Sequence, residues 1–491
     1  MPTEEELIQE RIRKLNDIER LGILPYPYKY EPKNKAAEIL KKYATIHNEE
    51  HTTDTVKVAG RIVALRRMGK VSFMHVSDES GKVQAYCQFD KLGEKKYTFL
   101  KLLDVGDIIG VEGTIFKTKT GEITIEATNV EILAKSLRPL PEKWHGLTDI
   151  EARYRKRYVD LIMNPAVREV FKKRTQIIDS IRELLNSRNF LEVDTPCIQP
   201  IYGGAAAKPF KTHLNALDME VFLRISPELY LKRLIVGGFE RVYEFARNFR
   251  NEDIDRSHNP EFTGLEIYQA YADFNDMKEL VEDIYIYAAK KVLGSTKFEY
   301  QGEEIELKKP WQSYSMVDAI RKFADIDLKN MSDKEIFDLR ITYNLEIDGD
   351  ITKGKVIQAL FEDLVEDKLI QPTFITHHPK ESTPLCKECR EPEHKDFVER
   401  FEPYICGMEI ANAYSELNHP IKQRKLLEAQ SKELNAGSED AHPMDEDFVQ
   451  AIEHGMPPTG GVGFGVDRMI MLLTNQASIK DILLFPFMKK E

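Results

Sequence analysis

The feature that most constrains the fold is a change of hydrophobic period near residue 56. From there to about residue 133, apolar residues alternate with polar ones, which is the pattern of half-buried β-strands. Glycine-containing turns divide this stretch into five candidate strands, at 56–65, 72–77, 82–89, 107–116 and 122–133. A helical pattern at 91–103 follows the third strand. The sequence therefore predicts a small all-β module that carries one helix.

Five strands with a helix after the third form the layout of an OB-fold barrel. The second and third strands of such barrels commonly face single-stranded nucleic acid. Phe73 is placed to stack on a base, Gln84 to read a base edge, and Arg61 to hold a phosphate. A purely structural barrel is the alternative, and the aromatic and basic residues of the segment count against it.

Period changes on both sides of this module predict the domain organisation. Helical patterns at 4–21 and 35–43 indicate an N-terminal helical extension over 1–50, followed by the barrel over 51–135. A proline-containing linker over 136–160 leads to a large domain over 161–491, with a helical insertion at about 274–370. That domain opens with Asn164-Pro165, the signature of a helix cap with proline in the first turn.

Composition narrows the function classes. The formal net charge of −12 argues against a general nucleic-acid coat protein but leaves room for a local basic groove. No run of about eighteen apolar residues occurs, and the acidic N-terminus lacks the apolar core of a secretory signal. Five cysteines in 491 residues make no disulfide framework. We therefore expect a cytoplasmic protein without a membrane partner.

Two separate segments carry chemistry suited to a nucleotide. The first offers Arg250, Glu252, His258 and Phe262 in a strand–loop–strand pattern, where an arginine fork suits phosphate and a ring suits a purine. A salt-bridged hairpin remains the alternative. The second is the glycine stretch 460–465, which leads into a helix with Arg468 at its start. Too little chain follows for a dinucleotide-binding unit, and the lysine of a P-loop is missing. Close packing of strand and helix is the better interpretation of these glycines.

A third segment, 402–416, is rich in carboxylates. On an extended strand Asn412, Tyr414 and Glu416 share one face. Glu402 and Glu409 are separated by an odd number of residues, so they share a face only across a bulge or a bend. Carboxylates beside phosphate oxygens are the ligands that Mg²⁺ requires. An exposed acidic strand edge is the alternative.

Together these segments resemble the class II aminoacyl-tRNA synthetases. The helix and strand before Pro196, the run Arg250-Asn251-Glu252 and the ending Gly465-Val466-Asp467-Arg468 are similar to motifs one, two and three of that class. Four further segments, at 201–205, 226–230, 258–263 and 412–417, resemble the lysine-specific branch. The resemblance implies an α+β protein whose catalytic domain is a mainly antiparallel sheet flanked by helices. It implies ATP and Mg²⁺ as cofactors, L-lysine and tRNA(Lys) as substrates, and a homodimer formed through motif one.

The resemblance also implies roles for individual residues. Arg250 and Arg468 act in catalysis by holding the phosphates, and Glu402 and Glu409 hold Mg²⁺. The remaining nucleotide contacts are Glu252, His258 and Phe262. The amino acid is bound by Gly204, Glu228, Arg250, Glu266, Tyr268, Asn412, Tyr414 and Glu416. The anticodon is bound by Arg61, Phe73, Gln84 and Glu122.

Three alternatives remain open at this point. A lysine ligase that modifies a protein is one, although relatives of that kind lack the barrel. A non-catalytic nucleic-acid-binding paralogue is another, although such proteins lose the phosphate-binding arginines. Finally, Cys386 and Cys389 with His394 invite a structural zinc site, for which Cys406 would have to complete four ligands. A local variation in a loop is our preferred interpretation of the cysteine pair.

Overall fold

A computed structural model describes residues 2–141, 149–347, 351–435 and 443–490 of the chain. These residues form two compact units, Met1–Thr148 and Asp149–Glu491. Within the described ranges, no helix is both long and apolar enough to span a membrane.

The first unit is a closed five-stranded barrel with two helices before it and one within it. The strands are β1 (His51–Met68), β2 (Val71–Ser77), β3 (Lys82–Gln88), β4 (Ile108–Lys117) and β5 (Ile123–Ala134), and they close in the order β1-β2-β3-β5-β4. The helices are α1 (Glu4–Arg20), α2 (Ala36–Lys42) and α3 (Phe89–Leu100). All five predicted strands and all three predicted helices are thus confirmed, with ends that shift by a few residues.

The N-terminal helix belongs to the packing of the barrel. Ile18 on α1 is fully buried and joins the hydrophobic core of the barrel. Arg11, also buried, donates hydrogen bonds to the backbone oxygens of Val105 and Ser136 at 2.9 Å each. These contacts fix α1 against the barrel within the same unit.

The second unit is built on a nine-stranded sheet of order β14-β15-β16-β18-β19-β11-β10-β6, with β17 paired to β16. Most neighbours are antiparallel, and only β6 with β10 and β14 with β15 run parallel. Its strands are β6 (Leu191–Glu192), β10 (Arg241–Phe249), β11 (Glu261–Ala270), β14 (Gln312–Ser315), β15 (Thr373–Pro379), β16 (Phe397–Ile405), β17 (Met408–Glu409), β18 (Ala411–Ser415) and β19 (Thr459–Gly465). Two small sheets contain β7 (Ile198–Gln199), β8 (Lys211–Leu214) and β9 (Met219–Leu223), and β12 (Lys297–Tyr300) and β13 (Glu303–Glu306).

Helices flank this sheet. They are α4 (Ile150–Arg155), α5 (Arg157–Met163), α6 (Pro165–Ser187), α7 (Glu228–Val236), α8 (Phe274–Leu293), α9 (Met316–Ala324), α10 (Asp333–Thr342), α11 (Lys353–Leu364), α12 (Pro420–Asn435), α13 (Glu446–Glu453), α14 (Val466–Thr474) and α15 (Ile479–Ile482). The main core lies between the sheet and α6, α8 and α14. The predicted α+β architecture is therefore confirmed.

The structure corrects the prediction for residues 136–160. Their C-terminal part is not a linker, because residues 150–163 form α4 and α5. Arg157 is buried there, pairs with Asp160 at 2.7 Å and donates to the backbone oxygen of Lys480 at 2.8 Å. A guanidinium near the start of this helix therefore anchors the C-terminal end of the chain. Charge alone gave no sign of that burial.

Two further predictions were too simple. The region 274–370 is not a purely helical insertion, since it contains β12, β13 and β14, and α8 packs into the main core. Pro165 does occupy the first turn of α6, but Asn164 makes no side-chain cap. Instead, its amide donates to Asp160 at 2.7 Å.

Candidate active site

A cavity of about 370 Å³ lies over the middle of the large sheet. The strand register puts Glu266 and Asn412 opposite Gly463 from either side, and Tyr268 and Tyr414 opposite Gly461. Opposed residues on antiparallel strands point to the same face. The sheet therefore directs both rows of side chains to one place.

All fourteen residues predicted to bind the nucleotide and the amino acid line this one cavity. They are Gly204, Glu228, Arg250, Glu252, His258, Phe262, Glu266, Tyr268, Glu402, Glu409, Asn412, Tyr414, Glu416 and Arg468. The residues come from positions more than 260 apart in the chain. Their individual roles stay predictions.

Glycines on β19 leave room for this cavity. A Cβ added to Gly461 would lie 2.1 Å from the Oε1 atom of Glu416 and 2.5 Å from the ring of Tyr268. A Cβ on Gly463 would lie 3.0 Å from both carboxylate oxygens of Glu266. The interpretation from sequence, close packing of strand and helix, applies to Gly460, whose added Cβ would lie 2.8 Å from the backbone oxygen of Asp273 just before α8. The other two glycines clear space for acidic side chains.

The inner end of the cavity is acidic. Glu228 begins α7, and Lys232 one turn later places its ammonium 2.6 Å from Glu228 and 2.5 Å from Glu416. Among the described residues, Glu266 accepts only long hydrogen bonds, from the hydroxyls of Tyr268 at 3.3 Å and Ser226 at 3.4 Å. The Oε1 atom of Glu416 is buried and meets no hydrogen-bond donor among the described residues. Glu228 and Glu416 therefore share one fixed cation, and Glu266 lies in the field of Arg250 and Lys232 without an ion pair to either.

The pKa values of Glu266, Glu416 and Lys232 reflect both their burial and the excess of acidic groups over fixed cations. Burial raises the pKa of Glu266 to about 8, and repulsion from Glu228 adds to the effect. Burial also raises the pKa of Glu416 to about 8, although the Lys232 ammonium acts in the opposite direction. For Lys232, burial lowers the pKa, but the attraction of Glu228 and Glu416 outweighs it and the pKa rises above its usual value. A ligand that brings ammonium groups would relieve this imbalance.

Gly204 meets this acidic end through its backbone. Its φ of 87° lies in the left-handed region that favours glycine. A Cβ there would lie 2.8 Å from the Cβ of Glu228. Glycine at this position therefore allows backbone polar groups to approach the same space as the Glu228 carboxylate.

A tight hairpin brings Glu402 and Glu409 together. Cys406 and Gly407, with φ of 52° and 70°, form a two-residue turn between β16 and β17 in which both central residues have positive φ. Tyr404 is paired with Glu409 across the hairpin, and Glu402 lies two residues before Tyr404. All three side chains thus share one face. The odd spacing noted in the sequence is resolved by this turn.

The two carboxylates of the hairpin differ in their electrostatics. Burial raises the pKa of Glu402, but the Arg400 guanidinium and a 2.8 Å hydrogen bond from Tyr404 hold it below its usual value. Burial and repulsion from Glu402 raise the pKa of Glu409. Two adjacent carboxylates, Glu402 buried and Glu409 partly exposed, offer the hard oxygen ligands that suit Mg²⁺. The donor set at this site therefore fits the predicted metal.

Arg250 and Arg468 meet at the same cavity from opposite sides. The guanidinium of Arg250 lies 5.1 Å from the ring centre of Phe262, and its buried Nε atom meets no acceptor within the described chain. Arg468, in the first turn of α14, donates to the backbone oxygen of Glu409 at 2.5 Å. Burial lowers the pKa of Arg250, and the positive field of Arg468 contributes. Two guanidiniums that line one cavity attract an anion.

Two predicted nucleotide contacts, Glu252 and His258, make hydrogen bonds to loop residues. Glu252 accepts a hydrogen bond from the backbone N–H of Lys208 at 3.1 Å. The Nδ1 atom of the exposed His258 lies 2.8 Å from a carboxylate oxygen of Asp255. Both side chains are thereby oriented at the rim of the cavity.

The sequence analysis missed two cations in this site. Lys232 is fully buried beside the acidic end, and the largely buried Arg400 pairs with Glu402 and donates to Asn412 at 3.1 Å. Each had a detectable signal. Lys232 follows Glu228 by four residues, the spacing of an ion pair on a helix. Arg400 precedes Glu402 by two, the spacing of one strand face.

The barrel unit carries a row of partly exposed rings. Phe73 and Tyr86 lie 4.8 Å apart between ring centres, and Phe116 lies 5.8 Å from Tyr86. The ring of His51 stacks on Phe116 at 4.9 Å. The sequence predicted Phe73 alone for this surface, because the rings of β1, β3 and β4 become neighbours only when the barrel closes. A continuous aromatic surface suits the stacking of unpaired bases.

The other predicted residues of the barrel lie close to this row or behind it. Gln84 is buried opposite His75, and the His75 ring lies 2.8 Å from a Glu122 oxygen. Arg61 donates to the backbone oxygen of Gly106 at 2.7 Å, and burial lowers its pKa. The contact of Arg61 with a phosphate stays a prediction. The hydrogen bond from Arg61 to Gly106 argues against it, because it already occupies the guanidinium.

Comparison with known proteins agrees with both units. Residues 149–489 match the family model for tRNA synthetases class II (D, K and N), and residues 56–133 match the OB-fold nucleic acid binding domain. The chain belongs to the class II tRNA synthetases of this group.

Its similarity to individual members is high along the whole chain. It is 52% identical over 489 residues to a lysine–tRNA ligase of Carboxydothermus hydrogenoformans, covering 99% of this chain and 98% of the relative. It is 51% identical over 486 residues to the lysine–tRNA ligase of Thermoanaerobacter pseudethanolicus, covering 99% and 96%. Within the class, the chain is a member of the lysine–tRNA ligase family.

Proposed function

We propose that this protein activates L-lysine with ATP and transfers it to the 3′ end of tRNA(Lys). One observation carries the choice of amino acid. The Lys232 ammonium pairs with Glu228 and Glu416, and burial raises the pKa values of Glu266 and Glu416 to about 8, so this end of the cavity has more acidic groups than fixed cations. Lysine brings two ammonium groups, one at each end of its side chain. A shorter or neutral side chain would leave a buried carboxylate unpaired, and that is costly.

The two ends of lysine then have separate partners. The α-ammonium contacts Glu228 near the backbone of Gly204, and the ε-ammonium contacts Glu416 at the inner end. Glu266, Tyr268, Asn412 and Tyr414 line the space between. The carboxylate of lysine is left at the outer side of the cavity, beside the Arg250 guanidinium.

The phosphates of ATP occupy that outer side. Arg250 contacts both the α-phosphate and the lysine carboxylate, so that nucleophile and electrophile are held together. Arg468 contacts the γ-phosphate and covers the adenine, while Phe262 stacks on its other face. Glu252 accepts from the adenine amino group, and His258 contacts the terminal phosphates. The side chains thus separate the charged and the aromatic parts of the nucleotide.

Catalysis follows from position and charge. A carboxylate oxygen of lysine attacks the α-phosphorus, the bond to the bridging oxygen of pyrophosphate breaks, and lysyl-adenylate remains. The arginines stabilise the negative charge that builds up on the phosphate oxygens. Mg²⁺, held by Glu402 and Glu409, would neutralise charge on the phosphates when bound. The terminal ribose hydroxyl of the tRNA then attacks the lysyl carbonyl and releases AMP.

For the tRNA, we propose that the ring surface of the barrel binds the anticodon. Phe73 stacks on a base, and Gln84 and Glu122 contact base edges. Phe116 and Tyr86 extend the stacking surface. With the chemistry in one unit and anticodon recognition in the other, different residues determine the rate of lysine activation and the selection of the tRNA. A cytoplasmic location accords with these substrates and with the five free cysteines.

A homodimer completes the proposal. Part of the motif-one helix α6 is committed to the core of the same chain, since Ile181 and Leu185 are buried there. The following segment is better suited to the role. Leu191 on the edge strand β6 and Ile198 on β7 are 47% and 53% exposed. Light scattering should give twice the mass of the chain, and Leu191→Glu should shift the protein towards monomer.

Lysine-dependent exchange of pyrophosphate into ATP tests the reaction. With all twenty amino acids offered in turn, only lysine should give strong exchange, and Arg250→Ala should abolish it while the fold persists. Exchange with a different amino acid, or no exchange at all, would contradict the proposal.

Charging of tRNA with labelled lysine distinguishes the proposed function from the two open alternatives, a protein-modifying lysine ligase and a non-catalytic paralogue. A protein-modifying ligase would form the adenylate without charging tRNA, and a non-catalytic paralogue would do neither.

A further inference from the structure

A second group of ligand-type side chains lies outside the active site. His377, Cys389 and Glu391 place a ring nitrogen, a sulfur and a carboxylate oxygen within 4.8 Å of one another. None of the three lines the cavity that holds the predicted substrate residues. Their convergence therefore has no explanation in the proposed reaction.

The backbone turns these residues towards each other. His377 lies at a β-bulge in β15, where the pairing with β16 shifts between Thr376 and His378, and its φ is 57°. A bulge redirects a side chain out of the regular strand alternation. Cys389 is fixed from the other side, because its backbone N–H donates to the oxygen of Phe397 at 3.0 Å. The bulge in β15 and the backbone contact of Cys389 to β16 thus bring these residues together.

Hydrogen bonding sets which nitrogen of His377 is available. The hydroxyl of Thr376 lies 2.8 Å from Nδ1 of His377 and 3.2 Å from the backbone oxygen of Tyr314. A hydroxyl has one proton, and a backbone oxygen can only accept. Thr376 therefore donates to Tyr314 and accepts from Nδ1–H of His377. In the neutral ring, Nε2 is then the atom with a free lone pair, as metal-binding histidines with a fixed second nitrogen have.

We propose that His377, Cys389 and Glu391 bind one divalent transition-metal ion of the Zn²⁺ type. Nitrogen, sulfur and oxygen together suit zinc, whereas a thiolate ligand disfavours Mg²⁺ and Ca²⁺. His394, whose ring centre lies 4.6 Å from that of His377, is the nearest candidate for a fourth ligand. Zinc bonds of 2.0 to 2.3 Å put ligand atoms about 3.5 Å apart, so the side chains would close by about 1 Å on binding. The thiol proton of Cys389 passes to solvent as the metal–sulfur bond forms.

This ligand set replaces the one suggested by the cysteine spacing. Cys386 does not join the cluster, because it is buried in a bridge to Glu416, and its thiol lies 3.5 Å from the backbone oxygen of Lys387. Cys406 is in the turn between β16 and β17, near the backbone oxygen of Ile370. Only Cys389 of the three cysteines belongs to the site. His377, which the sequence analysis did not select, takes the central place.

The site would stabilise the wall of the substrate cavity. The segment that contains Cys389 continues back to Lys387, whose N–H donates to the oxygen of Ser415 at 2.9 Å, next to Glu416. The adjacent Arg390 binds Glu399 and, at 2.7 Å, Asp273 before α8. A metal ion here would cross-link β15 to this segment. The inference does not depend on which amino acid the cavity binds.

Metal content tests the proposal directly. The protein is purified without a polyhistidine tag, and its zinc is measured by mass spectrometry; a separate sample is loaded with Co²⁺ and its absorption spectrum recorded. We expect about one metal ion per chain and a sulfur-to-cobalt charge-transfer band. Cys389→Ser and His377→Asn should each lose the metal and the band. Cys406→Ser, which alters another half-buried thiol, is the matched control and should keep both.

A third variant distinguishes the loss of a metal ligand from the loss of the fold. Glu391 is exposed, so Glu391→Gln should leave the fold and the pyrophosphate exchange intact while it weakens Co²⁺ binding by about tenfold or more. Metal that persists in Cys389→Ser would overturn the proposal. So would a cobalt spectrum without the charge-transfer band, or equal losses in Cys389→Ser and Cys406→Ser.

Discussion

The ammonium of Lys232 lies 2.5 Å from a carboxylate oxygen of Glu416, and both side chains are fully buried. Lys232 also contacts Glu228 at 2.6 Å, so one lysine of the chain bridges the two carboxylates proposed to receive the two ends of the substrate. The enzyme therefore carries a permanent cation inside a site that selects a cation. Its charge reduces the repulsion among the acidic residues without satisfying all of them.

Replacement of Lys232 should therefore damage both stability and binding. In Lys232→Met the buried carboxylates of Glu228 and Glu416 would lose their fixed counter-charge, and we expect the free energy of unfolding to fall by about 3 to 5 kcal/mol. Urea denaturation measures this loss. Saturating lysine should raise the melting temperature more in the variant than in the parent, because the ligand supplies the missing charge. Lys329→Met removes an exposed pair with Asp318 and should cost about 1 kcal/mol or less. Equal losses in the two variants would contradict the role given to Lys232.

Lysine binding should release protons near neutral pH. The pKa of Glu266 and that of Glu416 are both about 8, so below that pH these groups largely hold protons in the free protein. Pairing with ammonium groups favours the ionised carboxylates. Titration calorimetry at pH 7 in buffers of different ionisation enthalpy should show net proton release. Proton uptake, or an enthalpy independent of the buffer, would contradict these pKa values.

The same groups give stability a predictable pH dependence. Their pKa values in the folded chain lie above the usual glutamate value of 4.5, so between pH 4.5 and about 8 the folded chain holds protons that the unfolded chain has lost. Their contribution to stability therefore falls as the pH rises through this range. Bound lysine should reduce that fall. A Glu266→Gln variant cannot titrate there and should lose part of the pH dependence.

The hairpin carboxylates should affect activation without affecting amino-acid binding. Glu409→Gln removes one charge of the pair proposed to hold Mg²⁺, so pyrophosphate exchange should fall by about 10² or more and need more Mg²⁺ for half-maximal activity. Calorimetry with lysine alone serves as the internal control, because Glu409 is not among the proposed lysine ligands. Loss of lysine binding in this variant would place Glu409 in the amino-acid pocket instead.

The sequence predicted a feature where the pattern lies in neighbouring residues, and it missed a feature that depends on residues far away in the chain. Alternation along β2 and β3 predicted the barrel strands, and the spacing of Asn412, Tyr414 and Glu416 predicted their shared face. The β-strands at 297–315 were missed because such short strands, inside a mostly helical stretch, do not show enough alternation of apolar and polar residues. Lys232 was missed because a lysine on a helix is usually exposed, and its burial depends on Glu416, far away in the chain. His377 was missed because a bulge is set by strand pairing and leaves no local pattern.

Gly461 offers a steric test of the acidic pocket. In Gly461→Ala the new methyl group would lie 2.1 Å from the Oε1 atom of Glu416, so this carboxylate or the Tyr268 ring must move. We expect the KM for lysine in pyrophosphate exchange to rise by about tenfold or more, with a smaller change in the KM for ATP. Gly465→Ala is the comparison on the same strand, since its methyl group would lie 3.4 Å from the Arg468 side chain, an ordinary contact. A larger effect of Gly465→Ala on lysine would argue against the pocket assignment.

Phe73 should separate tRNA recognition from amino-acid activation. Its ring lies 4.8 Å from that of Tyr86 on the barrel surface, and loss of one stacking platform typically costs about 1 to 3 kcal/mol per base. Phe73→Ala should therefore raise the KM for tRNA in the charging reaction by about tenfold to a hundredfold, while lysine-dependent pyrophosphate exchange stays unchanged. Phe337→Ala, which removes a partly exposed ring from α10 in the other unit, is the matched control and should alter neither. Since exchange does not require tRNA, a fall in exchange in Phe73→Ala would mean that the ring supports the fold. An unchanged KM for tRNA would mean that the anticodon binds elsewhere on the barrel.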